Sequence, residues 1–179
     1  ELRSRVRNHL ELHAYRSNLE RLVEERSREA ELLKDVIIEA MGELAEYRDP
    51  ETGSHIHRTR AYVQLLAETL VRHNHYLDTL TPDYIVLLWK SAPLHDIGKV
   101  AIRDSILLKP GKLTSEEFDE MKKHTIYGEE VIANLEQMAG QPTSFLSCAK
   151  DIAGSHHEKF DGSGYPRGLA GEDIPLAGR

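Results

Sequence analysis

The first proline of the chain is Pro50, and no glycine precedes Gly42, so nothing in the opening stretch breaks a helix. Within it, apolar side chains recur at alternating four- and three-residue steps: Leu19, Val23, Ala30, Leu33, Ile37, Ala40 and Leu44, with only Arg26 interrupting. A stripe that narrow, about 3.5 residues per turn, cannot enclose a core of its own and calls for a partner helix. Residues 1–48 are therefore expected to form one long coiled-coil helix, paired with the same helix of a second subunit in a homodimer. From Val6 to Tyr47 such a rod spans about 60 Å at ~1.5 Å per residue.

The composition changes at Asp49-Pro50, where proline ends or kinks the helix. A new amphipathic helix carries Val63, Leu65, Leu66 and Leu70 and ends near His73. Thr81-Pro82-Asp83 starts the next, with a capping hydroxyl and proline at the first helical position. That apolar helix is expected to run into Leu94-His95-Asp96. Thr114-Ser115-Glu116-Glu117 is a capping box, opening a helix to about Lys123. Further helices are expected from near His124 to before Gly140, and from about Thr143 to His157. Glycine and proline then dominate, from Asp161-Gly162-Ser163-Gly164-Tyr165-Pro166 to Gly178. No convincing strand alternation appears, so the fold class is all-α, a helical bundle with an ordered Gly/Pro-rich loop at its end.

Bulk properties narrow the function. The 179 residues suit one domain plus an appendage, with 40% hydrophobic residues for a core. A formal charge of −7 argues against a nucleic-acid duplex as partner. A small anion is compatible with that charge if bound metal ions dominate the local field. The single cysteine, Cys148, excludes an intrachain disulfide and reads as a small buried apolar residue. No apolar run reaches membrane-spanning length, and no signal peptide follows Arg3, Arg5 and Arg7. A cytoplasmic setting without a membrane partner is the expectation.

Chemistry concentrates in Glu51, His55, His95, Asp96, His124, His156 and His157. Imidazoles with carboxylates and no thiolate make a nitrogen/oxygen donor set suited to iron, manganese or zinc in a hydrolase. Glu51 and His55 are four apart and share a face of a helix that begins by Glu51. His95-Asp96 ends an apolar helix, where a buried charged pair is costly unless it binds something. Adjacent His156 and His157 splay by about 100° on a helix, which suits a pair of metals. His9, His13, His57, His73 and His75 read as ordinary surface histidines.

Five segments in unbroken order resemble the HD-GYP family: His95-Asp96-Ile97-Gly98-Lys99-Val100, Lys109-Pro110-Gly111-Lys112-Leu113, Met121-Lys122-Lys123-His124-Thr125, His156-His157-Glu158 and Asp161-Gly162-Ser163-Gly164-Tyr165-Pro166. The resemblance covers residues 49–179. It implies an all-helical domain of the HD superfamily that hydrolyses the bacterial second messenger cyclic di-GMP. It also implies metal ligands at His55, His95, Asp96, His124, His156 and His157. Glu51 matches an extra carboxylate of members that hold three metals, so two or three divalent ions are implied, iron or manganese first and zinc as the alternative. Val6-Arg7-Asn8-His9-Leu10-Glu11-Leu12, Tyr15-Arg16-Ser17-Asn18-Leu19-Glu20 and the following Leu22–Arg26 segment are similar to the end of a receiver domain and its linker. An upstream receiver domain is therefore implied in a full-length response regulator. The family places a further metal-binding aspartate and C-terminal helices after its Leu-Ala-Gly-Arg sequence, here Leu176-Ala177-Gly178-Arg179, so they fall past the end of this chain.

In the mechanism so implied, Asp96 bridges two metals and orients hydroxide, with the histidines as terminal ligands. Lys99, one turn beyond His95, neutralises a phosphate oxygen. Gly164, Tyr165 and Pro166 form a substrate-binding loop, Tyr165 stacking on or hydrogen-bonding the nucleotide, with Arg167 as a phosphate contact. The alternatives are a hydrolase of another cyclic dinucleotide, or a non-catalytic, metal-loaded signalling or docking module.

Overall fold

The structure, a computed structural model, describes residues 1–47 and 55–179. Its α-helices are α1 (Leu2–Glu46), α2 (His55–Arg72), α3 (Pro82–Ser91), α4 (Asp104–Leu107), α5 (Ser115–Lys122), α6 (His124–Met138) and α7 (Ser144–Ser155). Turns of 3₁₀ helix lie at Ala92–Leu94, Ile97–Ala101, Gly171–Asp173 and Leu176–Gly178. No strand occurs among the described residues, as an all-α fold requires. None of their helices is long and apolar enough to cross a membrane.

The chain divides into two compact units, Glu1–Ile37 and Ile38–Arg179. The first is helical and solvent-facing. Exposed pairs one turn apart, Arg16 with Glu20, Arg21 with Glu25 and Arg28 with Glu24, lace its surface. Each adds only about 0.3–0.5 kcal/mol. Leu19, Val23, Leu33 and Ile37 of the apolar seam are 49–60% exposed.

In the second unit, local sequence sets the helix ends. Thr81 accepts from Tyr84 N–H at the start of α3, with Pro82 in the first turn. Thr114 and Glu117 close a reciprocal capping box on α5. Thr143 accepts from Leu146 N–H at the start of α7. One boundary differs from expectation. Helix α3 ends at Ser91, and His95-Asp96 lies between two 3₁₀ turns. Pro93 is the cause, because it has no N–H for the α-helical ladder. The short α4 also escaped notice in the sequence.

Those two turns sit on the core. Leu94 and Ile97 pack with Ile38 and Ala45 from the end of α1, Ile132 of α6, and Ala149 and Ala153 of α7. Burying each large aliphatic side chain among them contributes about 1.5–3 kcal/mol. A second cluster joins α2, α3 and α7 through Ala67, Leu80, Leu88, Cys148 and Ile152. Cys148 is buried as expected, and burial pushes its thiol up to about 11. Gly98 makes the closest approach. A Cβ there would lie 1.9 Å from the His124 carbonyl oxygen and 2.4 Å from Gly128 N. Only a residue without a side chain lets this turn rest backbone to backbone on α6. That contact draws the residue pair His95-Asp96 to His124.

Candidate metal centre

Three segments converge on Asp96, which is only 6% exposed. His124 opens α6, and His156-His157 forms the turn after α7. One donor atom from each of Asp96, His124, His156 and His157 lies within 4.8 Å of all the others. Asp96 Oδ1 stands 3.2 Å from His124 Nε2 and 3.5 Å from His156 Nε2, and Oδ2 stands 3.1 Å from His95 Nε2. Lys99 Nζ is 2.9 Å from the same Oδ2. His156 and His157 do not splay as expected. They lie past the end of α7, with ring centroids 4.3 Å apart, because the chain turns there.

The protein fixes which face each imidazole turns inward. His95 Nδ1 lies 2.9 Å from the Ala92 carbonyl, His124 Nδ1 2.8 Å from that of Met121, and His156 Nδ1 3.0 Å from that of Ile152. A backbone acceptor at Nδ1 demands a proton there and leaves the Nε2 lone pair facing the cluster. Two such lone pairs, on His124 and His156, are 3.4 Å apart. Asp96 Oδ1 is buried and accepts no well-aligned hydrogen bond. Converging lone pairs around a buried carboxylate oxygen are what a divalent cation satisfies, so the residues fit a metal.

The electrostatics agree. Burial raises the Asp96 carboxyl, but the imidazoles of His124, His156 and His95 set against its two oxygens outweigh it and hold the group well below the usual carboxylate range. Asp96 is an anion at any working pH. Burial, reinforced by His156 and His124, pushes His157 down to about 3, so it is neutral and one ring nitrogen keeps its lone pair for a ligand. Burial lowers His95, yet the hydrogen bond and charge of Asp96 leave it raised overall.

A second donor group adjoins the first. Glu46, His55 and His95 also place one donor atom each within 4.8 Å of one another. The sequence reading missed Glu46, because a glutamate near the end of a charged helix looks like solvated surface. Its 9% exposure was invisible without the fold. Glu51 lies outside the described residues.

The glycine-rich loop covers one side. Tyr165 stacks on His157 at 4.6 Å and 23°, and its N–H donates to the His157 carbonyl at 3.2 Å. Burial, then the charge of Asp96, pushes its phenol up to about 12, so it is a neutral donor or stacking surface. Phe118 meets Tyr165 edge-on at 6.1 Å, and Lys122 Nζ lies 4.9 Å over the Phe118 ring. Gly164 packs against its own chain: a Cβ would lie 2.3 Å from Lys159 N. Pro166 follows through a cis bond. Arg167 is not brought to the cluster. Its guanidinium donates to the Glu129 carboxylate and, at 3.3 Å, to the Gly154 carbonyl. Glu158 was quoted in the motif without a role. It is buried and accepts the N–H groups of Arg167 at 2.7 Å and Leu169 at 3.0 Å, tying the loop down. On the other side, a largely apolar cleft of about 520 Å³ opens between α2 and α3, with His55, His95 and His156 on its wall.

Comparison with known proteins gives the context. A family model described as HD domain matches residues 39–179. A probable cyclic di-GMP phosphodiesterase of Vibrio cholerae serotype O1 is 48% identical over 99% of this chain and 42% of its own length. A cyclic di-GMP phosphodiesterase of the same organism is 56% identical over 84% of this chain and 30% of its own length. Its 3'3'-cGAMP-specific phosphodiesterase 2 is 38% identical over 100% of this chain and 32% of its own length. The chain thus spans under half the length of these curated relatives.

Proposed function

Because the chain belongs to the HD domain family, we propose that it is the metal-dependent phosphodiesterase part of a larger signalling protein and hydrolyses cyclic di-GMP. The observation that carries this reading is the placement of Asp96. One carboxylate oxygen faces His124 and His156, and the other faces His95 and Lys99. A single anion therefore joins two donor groups, the arrangement a two-metal phosphoesterase needs. His55, His95, Asp96, His124, His156 and His157 hold the ions. The two groups account for two ions, and Glu51 is the candidate ligand for a third. Iron or manganese suits the nitrogen/oxygen donors best.

Bound divalent ions supply a water acidified from ~15.7 towards ~7 and a sink for phosphoryl charge. The chain's own residues do the rest. Asp96 fixes the spacing of the two groups and stays ionised. Lys99 sets a positive charge beside it for a non-bridging phosphate oxygen. Tyr165 offers a ring face, held over His157, on which a base can stack. Glu158 keeps that loop in place. Arg167, engaged with Glu129, is better read as a loop anchor than as a phosphate contact. The exposed seam of α1 supports pairing of residues 1–48 with a second copy, and the resemblance in residues 6–26 supports an upstream receiver domain.

A second reading has a specific basis, since one relative 38% identical over 100% of this chain is named for 3'3'-cGAMP. Product chromatography after incubation with each dinucleotide separates the two. Faster cleavage of cyclic di-GMP is expected. Preference for the mixed dinucleotide overturns the substrate, and binding without cleavage turns the domain into a metal-loaded docking module.

A further inference from the structure

We propose that Glu46, in the last turn of α1, is itself a metal ligand: with His55 and His95 it forms a two-imidazole, one-carboxylate cation site beside the Asp96 group. The proposal rests on His55 and His95 being ligands, as argued above, and adds the carboxylate, its source and its selectivity.

Distance comes first. Glu46 Oε1 stands 3.8 Å from His55 Nε2. That exceeds the about 2.7–2.9 Å of a charge-assisted hydrogen bond. It falls within the ~4.2 Å that two donors can span when each lies about 2.0–2.2 Å from one ion. The His55 and His95 rings are 5.7 Å apart and tilted by 53°, facing a common space rather than stacking. His95 holds its Nδ1 against the Ala92 carbonyl, which turns Nε2 towards that space.

Placement comes second, and it is built rather than incidental. One turn before Glu46, Gly42 presses α1 onto both segments that carry the histidines. A Cβ on Gly42 would lie 2.8 Å from the Pro93 carbonyl oxygen and 2.9 Å from Ile56 Cδ1. Pro93 is two residues before His95, and Ile56 follows His55. Ala45, beside Glu46, is 1% exposed in the core that holds Leu94. The same contacts that dock the helix end thus hold the carboxylate at the two imidazoles, the preorganisation a metal site requires.

Chemistry decides the ion. Two histidines and the Glu46 carboxylate, with Asp96 Oδ2 adjoining at His95, make an oxygen-rich nitrogen/oxygen set that suits iron(II) or manganese(II). The Asp96 group, with three imidazoles to one carboxylate, is richer in nitrogen. The two positions therefore differ in selectivity, and the Glu46 position favours the harder ion.

Metal content of anaerobically purified protein, with calorimetric titration of iron(II) and manganese(II), tests this without using turnover. Glu46→Gln keeps the shape and loses the charge. It is expected to melt like wild type without metal, to bind one ion fewer per chain, and to keep the other ion. Unchanged stoichiometry and affinity overturn the proposal. Should Glu46→Gln fail to fold, Glu46→Asp, which withdraws the carboxylate by one methylene, is expected to weaken one ion at least ~10-fold; unchanged affinity there overturns it equally. Wild-type protein that binds no ion would instead refute the ligand roles of His55 and His95, so the two failures are distinguishable.

Discussion

Asp96 has to stay charged in a site that is almost dry, and its neighbours arrange this. Four cationic or donor groups reach its two oxygens within 3.5 Å. Replacing it by alanine leaves those groups facing one another with no anion between them, which costs several kcal/mol locally once cations are bound. Asp96→Ala should release metal and abolish cleavage while far-UV circular dichroism stays helical; retained metal would remove Asp96 from the site. Lys99→Ala should keep its metal and lower kcat by about 10²-fold, the size of losing one charge-stabilising donor. Unchanged kinetics would make Lys99 structural. Glu158→Gln weakens two backbone hydrogen bonds that hold the Tyr165 loop. It should raise KM, destabilise by about 1–3 kcal/mol, and leave metal content alone. Metal loss in that variant would show that Glu158 acts on the ions rather than on the loop.

Helices place these residues, and the decisive packing is between backbones. The turn after Asp96 rests on α6 only because position 98 is glycine. Gly98→Ala should therefore cost at least the about 1–3 kcal/mol of an overpacked core and loosen metal binding, read by thermal melting and metal titration together. Wild-type stability would mean that the turn and α6 can part freely. Much of this layout was legible beforehand. Thr81-Pro82 and Thr114-Glu117 cap helices where capping chemistry says they must. Pro93 was in plain view, yet its power to stop α3 before His95 was overlooked, because the apolar run through Leu94 imitates a continuing helix. The histidines announced themselves as a motif. Glu46 could not, since its burial depends on Gly42 and Ala45 meeting the Pro93-Leu94 segment far away in sequence. Arg167 is the converse case: its charge suggested phosphate, and the fold pairs it with Glu129, 38 residues upstream.

Taken together, the metal-bearing unit Ile38–Arg179 includes the end of the same helix whose seam is exposed. Paired with a second copy, Leu33 and Ile37 would leave water. Leu33→Asp with Ile37→Asp should then shift sedimentation towards monomer and leave metal content unchanged. If wild type already sediments as a monomer at micromolar concentration, the pairing is wrong. Separated segments have to meet around shared cations for any of this chemistry to run. Metal per chain, measured by elemental analysis of anaerobically purified protein, addresses this without assuming a substrate. Two or more equivalents of iron or manganese are expected in the wild type and near none in Asp96→Ala; metal-free wild type after reconstitution, or equal occupancy in both, would contradict it.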